Sequence, residues 1–108
     1  MIHFHSVLAL HVLLAAAALP VIARADFISD TESVLKRYER CEGSSKKSFL
    51  EFKSMFNSVK LAEEAGRRHP AIEVTSDGPY TMALRNKFTR MECYLTIHDD
   101  CLSAGCVK

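Results

Sequence analysis

The chain has 108 residues, with 14 Lys and Arg against 13 Asp and Glu, a formal net charge of +1 and six Phe. That length allows one small domain, and the apolar content excludes a disordered tail. The near-neutral balance speaks against a nucleic-acid binder, which needs a basic excess to displace counterions, and against a cationic membrane-active peptide.

Residues 1–25 read as a cleaved signal peptide. The apolar run 7–19 is ended by Pro20, and Ala23-Arg24-Ala25 supplies the small-x-small pattern that places cleavage before Asp26. The leader's start carries His3, His5 and the α-amino group in place of Lys or Arg. A membrane anchor is the main rival, but His11 interrupts the stretch and leaves it short of the roughly 20 apolar residues a span needs. A buried N-terminal helix is a further rival, and no polar face runs through 15–19 to meet solvent. Only Arg24 of the basic residues lies in the leader, so the mature part, 26–108, has zero net charge.

Ser29-Asp30-Thr31-Glu32 has the form of a capping box. Thr31, Val34, Leu35, Tyr38 and Cys41 follow at three- and four-residue steps, and Gly43 supplies a left-handed terminator. They predict helix A over about 30–42. Ser44-Ser45 then gives a turn and a new N-cap. Phe49, Phe52, Met55, Phe56, Val59 and Ala62 form the strongest apolar stripe in the chain, ended by Gly66, and predict helix B over about 45–65.

A connection runs from Gly66 to Pro79, with Ile72-Glu73-Val74 too short an alternation for more than an edge segment. Long loops are where function or disorder concentrates, a floppy connector being the commoner case. Arg67-Arg68 also has the form of a dibasic processing site, although most such pairs in surface loops stay uncut. Pro79 suits the first turn of another helix. Leu84, Phe88, Met91 and Leu95 make one stripe, and Cys93, Ile97 and Cys101 a second, so helix C is expected over about 80–98, packed on both neighbours. The fold expected is an all-α, up-down-up three-helix bundle stapled by two disulfides.

A chain this short needs staples, and Cys41, Cys93, Cys101 and Cys106 all follow the leader. Their spacing lacks the paired form of a zinc site. A Cys93–Cys101 bridge would have to span eight helical residues, a rise of about 12 Å. That leaves Cys41–Cys101 with Cys93–Cys106, or Cys41–Cys93 with Cys101–Cys106. The first is favoured slightly, because Cys101 matches the level of Cys41.

No catalytic or metal-binding constellation stands out. His98-Asp99-Asp100 has ligand-type residues without a calcium-loop pattern. No nucleophile elbow or glycine-rich phosphate loop is present. No N-glycosylation acceptor occurs either, since Asn57-Ser58-Val59 and Asn86-Lys87-Phe88 both fail its rule. The expectation is a secreted, non-enzymatic effector or signalling protein without cofactor, which binds an extracellular protein whose identity the sequence leaves open, as it does the oligomeric state. Arg67, Arg68, Ile72, Val74 and Tyr80 would offer the contact residues. The alternative is a small extracellular carrier with an apolar ligand between the helices, which three helices rarely leave room for.

Overall fold

The structure is a computed structural model and describes residues 26–108. The signal-peptide reading of residues 1–25 lies outside the described residues. Helix α1 spans 26–37 and leads into a two-residue strand, β1 (Glu39–Arg40). Helix α2 (Lys46–Glu64) follows. The chain then runs back and forth as β2 (Ile72–Asp77), β3 (Thr81–Asn86), β4 (Glu92–His98) and β5 (Cys101–Val107).

This arrangement overturns the all-α three-helix bundle. The five strands form one sheet in the order β1-β5-β4-β3-β2, antiparallel except where β1 joins β5. The expected helix C, 80–98, is instead β3, a turn and β4. Residues four apart share a face in a strand as well as in a helix, so the steps from Leu84 to Phe88 and from Met91 to Leu95 do not choose between them. The alternation does: Met82 and Leu84, then Cys93 and Leu95, are buried, with Tyr94 and Thr96 on the other side. The first expected stripe is divided between β3, the turn and β4, and the second between β4 and β5. Phe88 lies in none of these strands, standing 78% exposed at the β3–β4 turn. Asn86 Oδ1 accepts the N–H groups of Phe88 and Thr89 to build that turn, and Arg90 closes it at φ +67°.

Helix α1 starts before Ser29 and ends at residue 37, so the capping box does not form. Glu32 sits inside the helix and pairs with Lys60 of α2 instead. The expectation for α2 holds. Ser45 caps it by accepting the Ser48 N–H at 3.1 Å. At its end the Gly66 N–H reaches Glu63 O and the Arg67 N–H reaches Ala62 O, with Gly66 at φ +73°; these are the two bonds of a Schellman motif.

Both helices cover one face of the sheet. Phe27 of α1 and Phe52, Met55, Phe56 and Val59 of α2 pack onto Ile72, Met82, Leu84, Cys93, Leu95 and Leu102. Each such large side chain removed from water contributes about 1.5–3 kcal/mol. The strand register explains the set, since Met82 pairs with Leu95 and Leu95 with Ala104, all toward the helices. A bulge between Val74 and Ser76 then turns β2 over, so that Asp77 pairs with Met82 and arrives on the helix side. The bulge and its neighbouring charges, Glu73 and Asp77, also blunt this edge strand against pairing with another chain.

Two disulfides are present. Cys93 and Cys106 stand directly opposite each other on β4 and β5, with Cα atoms 4.1 Å apart. Cys41 joins Cys101 with Cα atoms 4.9 Å apart. The β4–β5 hairpin register produces the Cys93–Cys106 bond, and the parallel pairing of β1 with β5 brings Cys41 to Cys101. The bridges place the folded domain in an oxidising environment. Among the described residues no helix is long and apolar enough to cross a membrane.

Two stability experiments follow from this packing. The Cys41–Cys101 bond closes a sequence separation of 60 residues. Its loss in a Cys41→Ser, Cys101→Ser double variant should lower the unfolding free energy by about 4 kcal/mol in urea titrations. A midpoint unchanged from wild type would contradict that role. Thr31 is fully buried and its Oγ1 has no hydrogen-bond partner among the described residues. Thr31→Val keeps the shape and removes a stranded hydroxyl, so a gain of about 1–2 kcal/mol is expected; a loss would mean that the hydroxyl is satisfied.

Candidate functional site

Two hairpin turns and the end of α1 meet at one end of the sheet. The β2–β3 turn is closed by the Gly78 N–H bonded to Thr81 O at 2.9 Å, and it projects Pro79 and Tyr80. The Ile97 N–H donates to Tyr80 O at 2.8 Å, which fixes Tyr80 beside β4. The β4–β5 connection is a two-residue loop, Asp99-Asp100, between the paired residues His98 and Cys101. Such loops favour positive φ and hence Asn or Gly; Asp99 adopts φ +39°. Tyr38 arrives at the end of α1, held there by the β1–β5 pairing and by the Cys41–Cys101 bond.

Between these elements lies an open groove of about 590 Å³, lined by Tyr38, Pro79, Tyr80, Ile97, His98 and Asp99. A second recess of about 300 Å³ adjoins it and shares Pro79, with Asp30, Ser33, Val34, Asp77, Gly78 and Met82 as its other walls. Tyr80 is 68% exposed, a large amphipathic side chain presented to solvent. The Arg37 guanidinium lies over the Tyr38 ring at 5.4 Å from its centre, within cation–π range. Partial burial holds the Asp77 carboxyl above the ordinary carboxylate range, and Asp30 and Asp26 add to the shift.

His98 Nε2 lies 2.6 Å from Ser103 Oγ on the uncovered face of the sheet. A nucleophile and base stand this close in hydrolases, but such a pair becomes a catalytic unit only with an orienting third group and oxyanion donors. The same face carries Tyr94 donating to Glu92 at 2.9 Å and Arg85 facing Glu73 at 4.0 Å. It is polar and cross-linked, as a solvated sheet face should be. Among the described residues no group of three or more His, Cys, Asp and Glu is placed to hold a metal ion.

The contact residues expected from sequence are separated by the fold. Ile72 is 8% exposed and belongs to the core, and Val74 packs against it. Arg67 and Arg68 are exposed between α2 and β2, at the end of the sheet that also carries the β3–β4 turn. The Lys87 N–H donates to Ala71 O there at 2.8 Å. Tyr80 alone lies in the groove, at the other end. Tyr38, Pro79, Ile97, His98 and Asp99 were not singled out together as a site. The turn signals at Asp77-Gly78-Pro79 and Asp99-Asp100 would have placed both turns at one end of a meander, had 80–98 been read as two strands.

Both ends of the sheet carry mixed charge: Asp77, Asp99 and Asp100 with Arg37 at the groove end, and Arg67, Arg68, Lys87 and Arg90 with Glu73 and Glu92 at the opposite one. Comparison of the chain with known protein families, with characterised proteins and with solved structures gives no match.

The Asp77 shift has a testable sign. With the folded value raised above the ordinary 3.8, the stabilisation from its protonated form is complete below that pH and is lost as pH rises through the folded value. Asp77→Asn should therefore raise the urea midpoint at pH 7 and leave it unchanged at pH 3. Equal effects at both pH values would show that the carboxylate charge is not the cause.

Proposed function

We propose that this chain is a secreted, non-catalytic protein-recognition domain whose contact surface includes the groove between the β2–β3 and β4–β5 turns. The observation that carries this reading is where space is filled and where it is open. Between the helices and the sheet, Phe27, Phe52, Leu84, Leu95 and Leu102 have no exposed surface, and the Phe27 and Phe56 rings pack edge to face at 6.3 Å. A carrier would need a few hundred Å³ in that position. The recesses among the described residues lie instead on the surface, where Tyr38, Tyr80, His98 and Asp99 are offered to another molecule. Tyrosine is among the side chains that most often dominate a binding energy. The leader-like first 25 residues and the two disulfides agree with an extracellular site of action.

Protein recovered from the medium of expressing eukaryotic cells should begin at Asp26. An extracellular protein captured by wild type and by Leu61→Ala, a change on the outer face of α2, should be lost on Tyr80→Ala. Saturable uptake of one fatty-acid probe per chain, abolished by Phe56→Ala in a folded protein, would overturn the proposal in favour of the carrier.

A further inference from the structure

We infer that the peptide bond between Arg68 and His69 is a processing site, cut by a secretory-pathway endoprotease that reads the basic pair Arg67-Arg68. The mature protein is then two chains held together by the Cys41–Cys101 bond. This rests on the export proposed above and is independent of the groove.

Three pairs of adjacent Lys and Arg occur among the described residues: Lys36-Arg37, Lys46-Lys47 and Arg67-Arg68. All six residues are exposed, so exposure does not choose between the pairs. Backbone structure does. A protease takes its substrate as an extended segment, and residues in a helix must unwind before they fit. Lys36 and Arg37 end α1, and the next amide, that of Tyr38, donates to Val34 O at 3.0 Å. Lys46 and Lys47 start α2, and the next amide, that of Ser48, donates to the Ser45 cap at 3.1 Å. A cut after either pair must first break a helix end. Arg67, Arg68 and His69 lie in no helix or strand. Among the described residues the His69 N–H and the Arg68 carbonyl make no hydrogen bond. Exposed, irregular segments are where proteolytic nicking concentrates.

The chain is also closed locally on both sides of this bond. Upstream, the N–H groups of Gly66 and Arg67 complete the end of α2. Downstream, His69 Nδ1 accepts the N–H groups of Ala71 and Ile72, each at 3.0 Å, which holds the start of β2. The 68–69 bond joins two elements that are each finished without it. In its hydrolysis water adds to the Arg68 carbonyl carbon and the C–N bond breaks. Arg68 is left as a carboxylate and His69 as an ammonium.

The two pieces stay together. Cys41 belongs to the upstream chain and Cys101 to the downstream one, while Cys93–Cys106 lies wholly within the second. Phe27, Phe52 and Phe56 of the first chain pack on Leu84, Leu95 and Leu102 of the second. Two adjacent guanidiniums suit a protease whose subsites carry carboxylates. Ala65 supplies no further base upstream, so the enzyme is one that reads the pair alone.

The test is expression of the full chain in eukaryotic cells that process a co-expressed precursor at its basic pair. Protein from the medium is mapped by mass spectrometry before and after reduction. One disulfide-linked species is expected, which reduction separates into chains beginning at Asp26 and at His69. Arg67→Gln and Arg68→Gln should each be secreted as a single chain. Arg68→Lys, which keeps the pair, and Lys46→Gln, which alters another, should be cut as wild type is. Secreted wild-type protein that stays one chain on reduction, while the co-expressed precursor is cut, overturns the inference and leaves export standing. A second chain beginning at Tyr38 or Ser48 overturns it too, as does a His69 end that persists in Arg67→Gln. Absence of the protein from the medium removes both export and processing.

Discussion

The covalent bond between Cys41 and Cys101 ties the segment that follows α1 to the sheet, and much of the molecule is arranged by it. Strand β1 has only two residues, Glu39 opposite Cys101 and Arg40 opposite Leu102, too few hydrogen bonds to hold a terminal segment by themselves. The disulfide fixes their register. The Cys41 N–H then reaches Leu102 O at 2.7 Å, and the Ala104 N–H reaches Ser44 Oγ at 3.2 Å, which sets the start of α2 beside β5. Tyr38, three residues before Cys41, is carried to the β4–β5 turn by the same constraint. The groove wall on the α1 side is thus a consequence of a bond whose partners lie 60 residues apart.

A single extra residue in β2 has a comparable effect on charge. Without the bulge between Val74 and Ser76, strict alternation would send position 77 to the open face. With it, Asp77 faces α1 and joins Asp30 in the recess beside Pro79. An acidic side chain on the helix side of a sheet costs free energy through lost hydration, which is the larger of the causes that raise its carboxyl. Hairpin connections place turns alternately at the two ends of this sheet, which brings Asp77, Asp99 and Asp100 to one end.

The interior works differently from the ends. Cys93 is fully buried in the same layer as Leu84 and Leu95, so the Cys93–Cys106 bridge acts as a core packing element as well as a crosslink. Phe52 and Phe56 lie one turn apart on α2 with nearly parallel rings 6.5 Å apart, and Phe27 closes over them from α1. A domain of this size has little apolar surface to spare. With the layer filled by rings, the large side chains left exposed at the turns are Tyr80 and Phe88, at opposite ends.

Helix α2 was legible because its signals are local. A hydroxyl N-cap, an unbroken stripe from Phe52 to Ala62 and a glycine stop act within one stretch of chain, and they place its ends at Ser45 and Gly66. Oxidised cysteines were legible from their even number and from the leader-like stretch that precedes them in the sequence. Residues 80–98 were not, because a four-residue apolar step satisfies a helix and a strand alike, and a strand's hydrogen bonds belong to partners elsewhere in the chain. Composition determined four cysteines to be bridged and one amphipathic helix to be buried. Only the tertiary structure decided the sheet, the reversal at the bulge and the meeting of Tyr38, Tyr80 and Asp99, since each depends on pairings between residues far apart in sequence.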